Sequence, residues 1–203
     1  MKNLIKGIFS ICLILSILAA CKNKIQIDDQ QKQVVSQKSQ KDLFGFYKDL
    51  ELKPGYHFEV LSWGKGVDSI GAYSILMSDS VKKNFKSVSA EREGILTDAW
   101  NMDMDNDGNP EIYLQVSVKK NEADLYVYEF AGNSFNKISF RGTSSIKGYN
   151  GNDKFFIKEG DLYRTVNVLQ KEDGKEQNIT KTYRYTLSSN TFSMKENKAE
   201  QKN

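Results

Sequence analysis

The 203-residue sequence has very little cysteine, histidine or proline. Its two cysteines, Cys12 and Cys21, both fall within the first 21 residues, so the rest of the chain can build neither a disulfide framework nor a cysteine-rich metal site. Thiol chemistry is excluded with them. A single imidazole, His57, rules out centres that need two or three, zinc hydrolases among them. No nucleophile elbow, phosphate-cradling glycine loop or dinucleotide fingerprint is present, and the chain reads as a non-enzyme. Excess charge of one sign is lacking as well: 29 Lys+Arg stand against 26 Asp+Glu, with lysines and acids interleaved. That distribution lacks the clustered basic face of a nucleic-acid binder. With 39% hydrophobic residues and only two prolines, the composition excludes wholesale disorder and low-complexity architecture and suffices for a core.

What is present begins at the N-terminus. Lys2 and Lys6 precede an apolar run from Ile8 to Leu18, broken only by Ser10, Cys12 and Ser16. The run is too short for a spanning helix of about 20 residues, and residues 1–20 read as a secretory signal. Leu18-Ala19-Ala20-Cys21 is similar to the bacterial lipobox, so Cys21 is expected to become the lipidated first residue of the mature chain. Each buried lipid methylene contributes about 0.8 kcal/mol, and several acyl chains make such an anchor effectively permanent. The expected location is the bacterial cell envelope, lipid-anchored and facing the periplasm or the outer membrane. Cleavage removes Lys2 and Lys6 and no acid, so the formal charge falls from +3 to +1.

Residues 21–42 then read as the lipidated cysteine and a flexible tether. From Lys22 to Asp42 the segment has no aromatic, glycine or proline, and only Ile25, Ile27, Val34 and Val35 are apolar. Fully extended, it reaches roughly 70 Å at about 3.4 Å per residue. The other end, 195–203, reads as a polar tail. The folded domain is therefore placed at 43–194.

Within that domain apolar residues recur with period two and not at helical spacing. Strands are expected at 56–63, 70–77, 84–92, 95–102, 112–118, 125–130, 135–140, 154–158, 162–169, 180–187 and 191–194. The segment 42–50 offers at most a helical turn or two. Ile112, Leu114, Val116 and Val118 face one way, with Tyr113, Gln115 and Ser117 opposite, as in a half-buried strand. Short polar connections at 131–134, 159–160 and 188–190 fit antiparallel hairpins. The fold class is all-β: an antiparallel sandwich or barrel of about 8–11 short strands. Tyr126, Tyr128, Phe130, Tyr183 and Tyr185 are expected to pack the core, and His57 to lie on the surface.

The sharpest local signal runs from Asp103 to Glu111. It sets carboxylates at Asp103, Asp105, Asp107 and Glu111 around Gly108, which permits a sharp bend. Calcium takes about six to eight oxygens, and these four side chains with the Asn109 carbonyl and water can supply them. The loop is not an EF-hand, since Leu114 stands where that motif needs glutamate. It is similar to the calcium loops of β-propeller repeats, but a single copy does not make a propeller. The competing account is an Asp/Asn/Gly turn whose side chains cap their own backbone amides. Calcium is thus the one cofactor the sequence raises, and nothing in it requires one.

Ser69-Ile70-Gly71-Ala72-Tyr73-Ser74-Ile75, the acidic loop running into a strand, and Leu125 to Phe130 together resemble the bacterial periplasmic inhibitors of invertebrate-type lysozyme. The resemblance covers about residues 56–140. Gly148 to Asp153, Leu162-Tyr163-Arg164 and Tyr183-Arg184-Tyr185 are similar to a C-terminal extension carried by many relatives. The resemblance implies a lipid-anchored all-β protein that binds such a lysozyme and protects peptidoglycan, with Ser69 and Tyr73 among the contact residues. In that family the inhibitory loop follows the acidic-loop strand and carries a Ser-Gly-any-Tyr motif. The corresponding residues here are Asn121, Glu122, Ala123 and Asp124, which lack it. Two acids set against carboxylates in an enzyme cleft repel by roughly 4 kcal/mol at 4 Å and an effective dielectric near 20, unless Lys119 or Lys120 offsets them. The alternative expectation is a calcium-dependent or structural envelope module for glycan or protein that has lost the inhibitory loop.

Overall fold

A computed structural model describes residues 44–64, 70–172 and 174–197. Cys21 and Ser69 lie outside the described residues. Among those described, twelve strands form three four-stranded antiparallel sheets, each a simple up-and-down meander. The first holds β1 (Phe46–Lys53), β2 (Tyr56–Trp63), β3 (Ile70–Asp79) and β4 (Asn84–Glu93). The middle sheet holds β5 (Ile95–Met102), β6 (Glu111–Lys119), β7 (Glu122–Ala131) and β8 (Ser134–Ile138). The third holds β9 (Lys154–Lys158), β10 (Asp161–Glu172), β11 (Lys175–Ser188) and β12 (Thr191–Glu196). The fold is therefore all-β and sandwich-like, and the sheets do not close into a barrel.

Two cores separate the three layers. Phe58, Val60, Tyr73, Ile75 and Met77 of the first sheet meet Ile112, Leu114, Val116, Tyr128 and Phe130 of the middle one. Its other face sends Tyr113, Leu125, Val127 and Ile138 against Leu162, Val166, Val168, Tyr185 and Phe192 of the third. A strand in a sheet covered on both sides needs apolar residues on both faces. That corrects the reading of β6 as half-buried: Ile112 and Leu114 lie in one core and Tyr113 in the other, all fully buried. Tyr128, Phe130, Tyr183 and Tyr185 are buried as expected.

The segment 42–50 is a second correction. Phe46, Leu50 and Leu52 alternate onto the first core, and residues 46–53 form edge strand β1 rather than a helical turn. At the other end β12 runs to Glu196, so Lys195 and Glu196 belong to the sheet and not to a tail. The expected hairpin turns form at 132–133, 159–160 and 189–190, each with two successive residues at positive φ, the geometry that matches strand twist.

Gly94 alone joins the first sheet to the middle one. Its φ is +88°, and a Cβ there would sit 2.3 Å from the Ser117 carbonyl oxygen, so only glycine fits. Buried Arg92 fastens the crossing: Nε donates to Ser62 Oγ at 2.7 Å and Nη1 donates to the Gly94 carbonyl. Among the described residues no helix is long and apolar enough to cross a membrane.

Candidate functional site

The acidic loop joins β5 to β6 at one end of the middle sheet. Its turn is partly self-capped. Asp103 accepts from the Asp107 amide on Oδ1 and from the Gly108 amide on Oδ2, both at 3.1 Å. Asp107 takes the Asn109 amide at 2.8 Å and the Asn109 side-chain amide at 2.9 Å. These bonds explain Asp103, Asp107 and Asn109 as turn residues, while leaving carboxylate lone pairs free.

Capping leaves one oxygen of Asp105 and one of Glu111 unaccounted for. Asp105 Oδ1 and Glu111 Oε1 are buried without a hydrogen-bond partner. Glu111 is fully buried; its other oxygen accepts from the Met104 amide at 2.8 Å. Burial pushes its carboxyl up to about 7; the Met104 amide opposes the shift, and the acids around it add to it. Asp105 is raised as well, first by burial and then by Asp107. Among the described residues no Lys or Arg forms an ion pair with Asp103, Asp105, Asp107, Glu111 or Glu129.

Glu129 is a member that the sequence reading missed. It lies on β7 directly opposite Glu111, 5% exposed, on the face that looks toward the third sheet. There it accepts from the Asn190 side-chain amide in the β11–β12 turn at 3.2 Å. Asp103, Asp105 and Glu111 form one cluster, and Asp105, Asp107 and Glu129 a second. Within each the ligand oxygens lie within 4.8 Å of one another. That is the span of two opposed oxygens each about 2.4 Å from a shared calcium ion. The donor set is all hard oxygen, its charge uncompensated and two of its buried atoms unpartnered, so the residues fit calcium.

The residues that carry the family resemblance fall in two places. Tyr73 is fully buried between the first two sheets; its hydroxyl pairs with that of Tyr128 at 2.7 Å and its ring stacks on Tyr126. In that position it packs the core and presents no surface to a partner. Asn121 lies in the β6–β7 turn, and Glu122, Ala123 and Asp124 open strand β7, at the opposite end of the middle sheet from the acidic loop. This tip is tied to the third layer. The Asn152 amide donates to the Asn121 carbonyl at 2.6 Å, the Ala123 amide to Asp153 at 3.0 Å, and Arg164 Nη2 to the Ala123 carbonyl at 2.6 Å. Gly151, at φ +71°, permits the approach, since a Cβ there would lie 3.0 Å from the Asn121 oxygen. Lys119 sits 3.7 Å from the Glu122 carboxylate, and Asp124 is half-buried, its carboxyl raised by that burial.

His57 lies on the outer face of the first sheet, with Nδ1 3.0 Å from Asp49 and Nε2 3.6 Å from Glu51. No family model, no curated protein and no solved structure matches the chain.

Proposed function

We propose that the chain is a non-catalytic binding protein, held at the bacterial envelope by lipid on Cys21, whose middle sheet is braced by calcium at Asp103, Asp105, Asp107, Glu111 and Glu129. The observation that carries the calcium reading is the pair of buried, unpartnered oxygens on Asp105 and Glu111. An unpartnered buried acceptor costs about 1–3 kcal/mol, more when charged, and a cation offsets that cost. When bound, calcium supplies charge neutralisation and a rigid loop, and Glu129 extends its hold to the third sheet through Asn190. Isothermal titration with calcium tests this reading. Saturable binding that Glu111→Gln abolishes supports it; no heat of binding overturns it.

A second reading concerns the target. Lysozyme inhibition through the tip 121–124 is favoured by one observation: Lys119 lies 3.7 Å from Glu122, which lessens the repulsion that acid would meet in an enzyme cleft. The test is titration against invertebrate-type lysozyme acting on cell walls, with chicken-type and goose-type enzymes as controls. Selective inhibition supports this target, and the absence of both inhibition and complex removes it while leaving the calcium reading intact.

A further inference from the structure

The turn joining β3 to β4 displays apolar side chains that the fold does not cover. Val81 is 80% exposed and Phe85 70%, whereas no other large apolar side chain at the described surface exceeds 49%. Val81 lies in the turn and Phe85 one residue into β4, so both stand at this end of the first sheet. Lys82, Lys83 and Lys86 lie close to them in the chain, exposed, Lys86 on the opposite face of β4 from Phe85, and none forms an ion pair among the described residues. The turn is firmly held: Asp79 Oδ1 accepts from the Val81 amide at 3.1 Å and from the Lys82 amide at 2.9 Å, and the Ser80 amide donates to the Gly55 carbonyl at 2.8 Å. Exposed apolar side chains with three exposed lysines close by suit a lipid interface, which accepts a small apolar wedge flanked by cations.

We propose that this tip inserts Val81 and Phe85 into the headgroup region of an anionic bilayer, with Lys82, Lys83 and Lys86 against lipid phosphates. Lysines near such a surface each strengthen binding by about fivefold. The acidic loop shares this end of the molecule: Tyr56, Lys82, Asn84, Gly108, Asn109 and Asn133 line one groove, and the Asn84 side-chain amide donates to Asn133 at 2.5 Å. Free carboxylates there would repel lipid phosphates, and calcium removes that repulsion. The calcium dependence therefore rests on the proposed cation site; the insertion does not.

The test is Phe85→Trp in the full chain, with the unsubstituted chain measured in parallel to subtract Trp63 and Trp100. Vesicles of phosphatidylglycerol or phosphatidylcholine with brominated acyl chains are added in calcium and in chelator, and calcium binding is titrated on the same sample. Acyl chains on Cys21 would hold the protein on either vesicle, so only quenching of the reporter reads the tip. The expected result is loss of most of the reporter's emission in the anionic vesicles with calcium and little loss in the zwitterionic ones. Combined Lys82→Gln, Lys83→Gln and Lys86→Gln should bring the first down to the second. Val81→Trp provides an independent reporter. No quenching of either reporter, whether or not calcium binds, or equal quenching in both lipids, overturns the insertion and leaves the tip to a protein partner. Quenching without any calcium binding upholds the insertion and removes the cation site instead.

Discussion

Glu111 and Glu129 stand directly opposite each other on β6 and β7, both buried, on the same face of the middle sheet. Like charges in that relationship destabilise a sheet, and here Asp105 adds a third acid that belongs to the same pair of clusters. A cation held among them turns the repulsion into attraction. In calcium-free buffer Glu111→Gln or Glu129→Gln should therefore raise the midpoint of urea unfolding, while either substitution removes most of the gain that calcium gives the parent chain. Urea titrations in calcium and in chelator check both halves of this expectation.

A second prediction concerns the third layer. Arg164 Nε lies 2.8 Å from Asp153 Oδ1 with both side chains almost fully buried, and the pair also carries the Ala123 backbone and the Tyr149 hydroxyl. Removing one partner leaves an uncompensated buried charge, so Arg164→Met or Asp153→Ala should cost about 3–5 kcal/mol. The double variant should cost less than the sum. Hydrogen exchange should show the Ala123 amide losing protection in either single variant, a change that overall destabilisation alone would spread across the sheets.

The third expectation is at Tyr73. Tyr73→Phe keeps the ring that stacks on Tyr126 but strands the Tyr128 hydroxyl, at a cost of about 1–3 kcal/mol. Denaturant unfolding measures it directly. The same substitution should leave partner binding unchanged, because the hydroxyl lies in the core.

His57 gives a fourth. The hydrogen bond to Asp49 raises its pKa above the ordinary 6.5; desolvation opposes the shift, and the charges of Asp49, Glu51 and Glu59 add to it. A raised folded pKa means that protonated His57 favours the folded state. The contribution is fully present below the unfolded value of 6.5 and is lost as pH rises through the folded value. As the chain's single imidazole, His57 gives one resonance to follow by NMR; Asp49→Asn should return its midpoint toward 6.5.

Most strand positions were legible because period-two alternation is a local signal and the turns between strands carry Asn, Gly and Ser. β1 was not, since Lys48, Asp49 and Glu51 interleave with Phe46, Leu50 and Leu52 and only pairing with β2 fixes their faces. β6 was misread because its second buried face exists only once the third sheet covers it, a long-range fact. The acidic loop was visible as a run of carboxylates around Gly108. Glu129 was hidden because its role depends on the β6–β7 register, and its only local trace is a charge between Tyr128 and Phe130 in a buried strand.

The calcium proposed at the end of the middle sheet must show in the stability of the chain. The most direct test is thermal unfolding of the chain across a calcium titration, with the Glu111→Gln chain beside it. Ligand linkage predicts stabilisation of about 2.7 kcal/mol once free calcium reaches 100 times its dissociation constant, reversed by chelator and absent in Glu111→Gln. A melting temperature indifferent to calcium and chelator in the parent chain would rule the calcium site out.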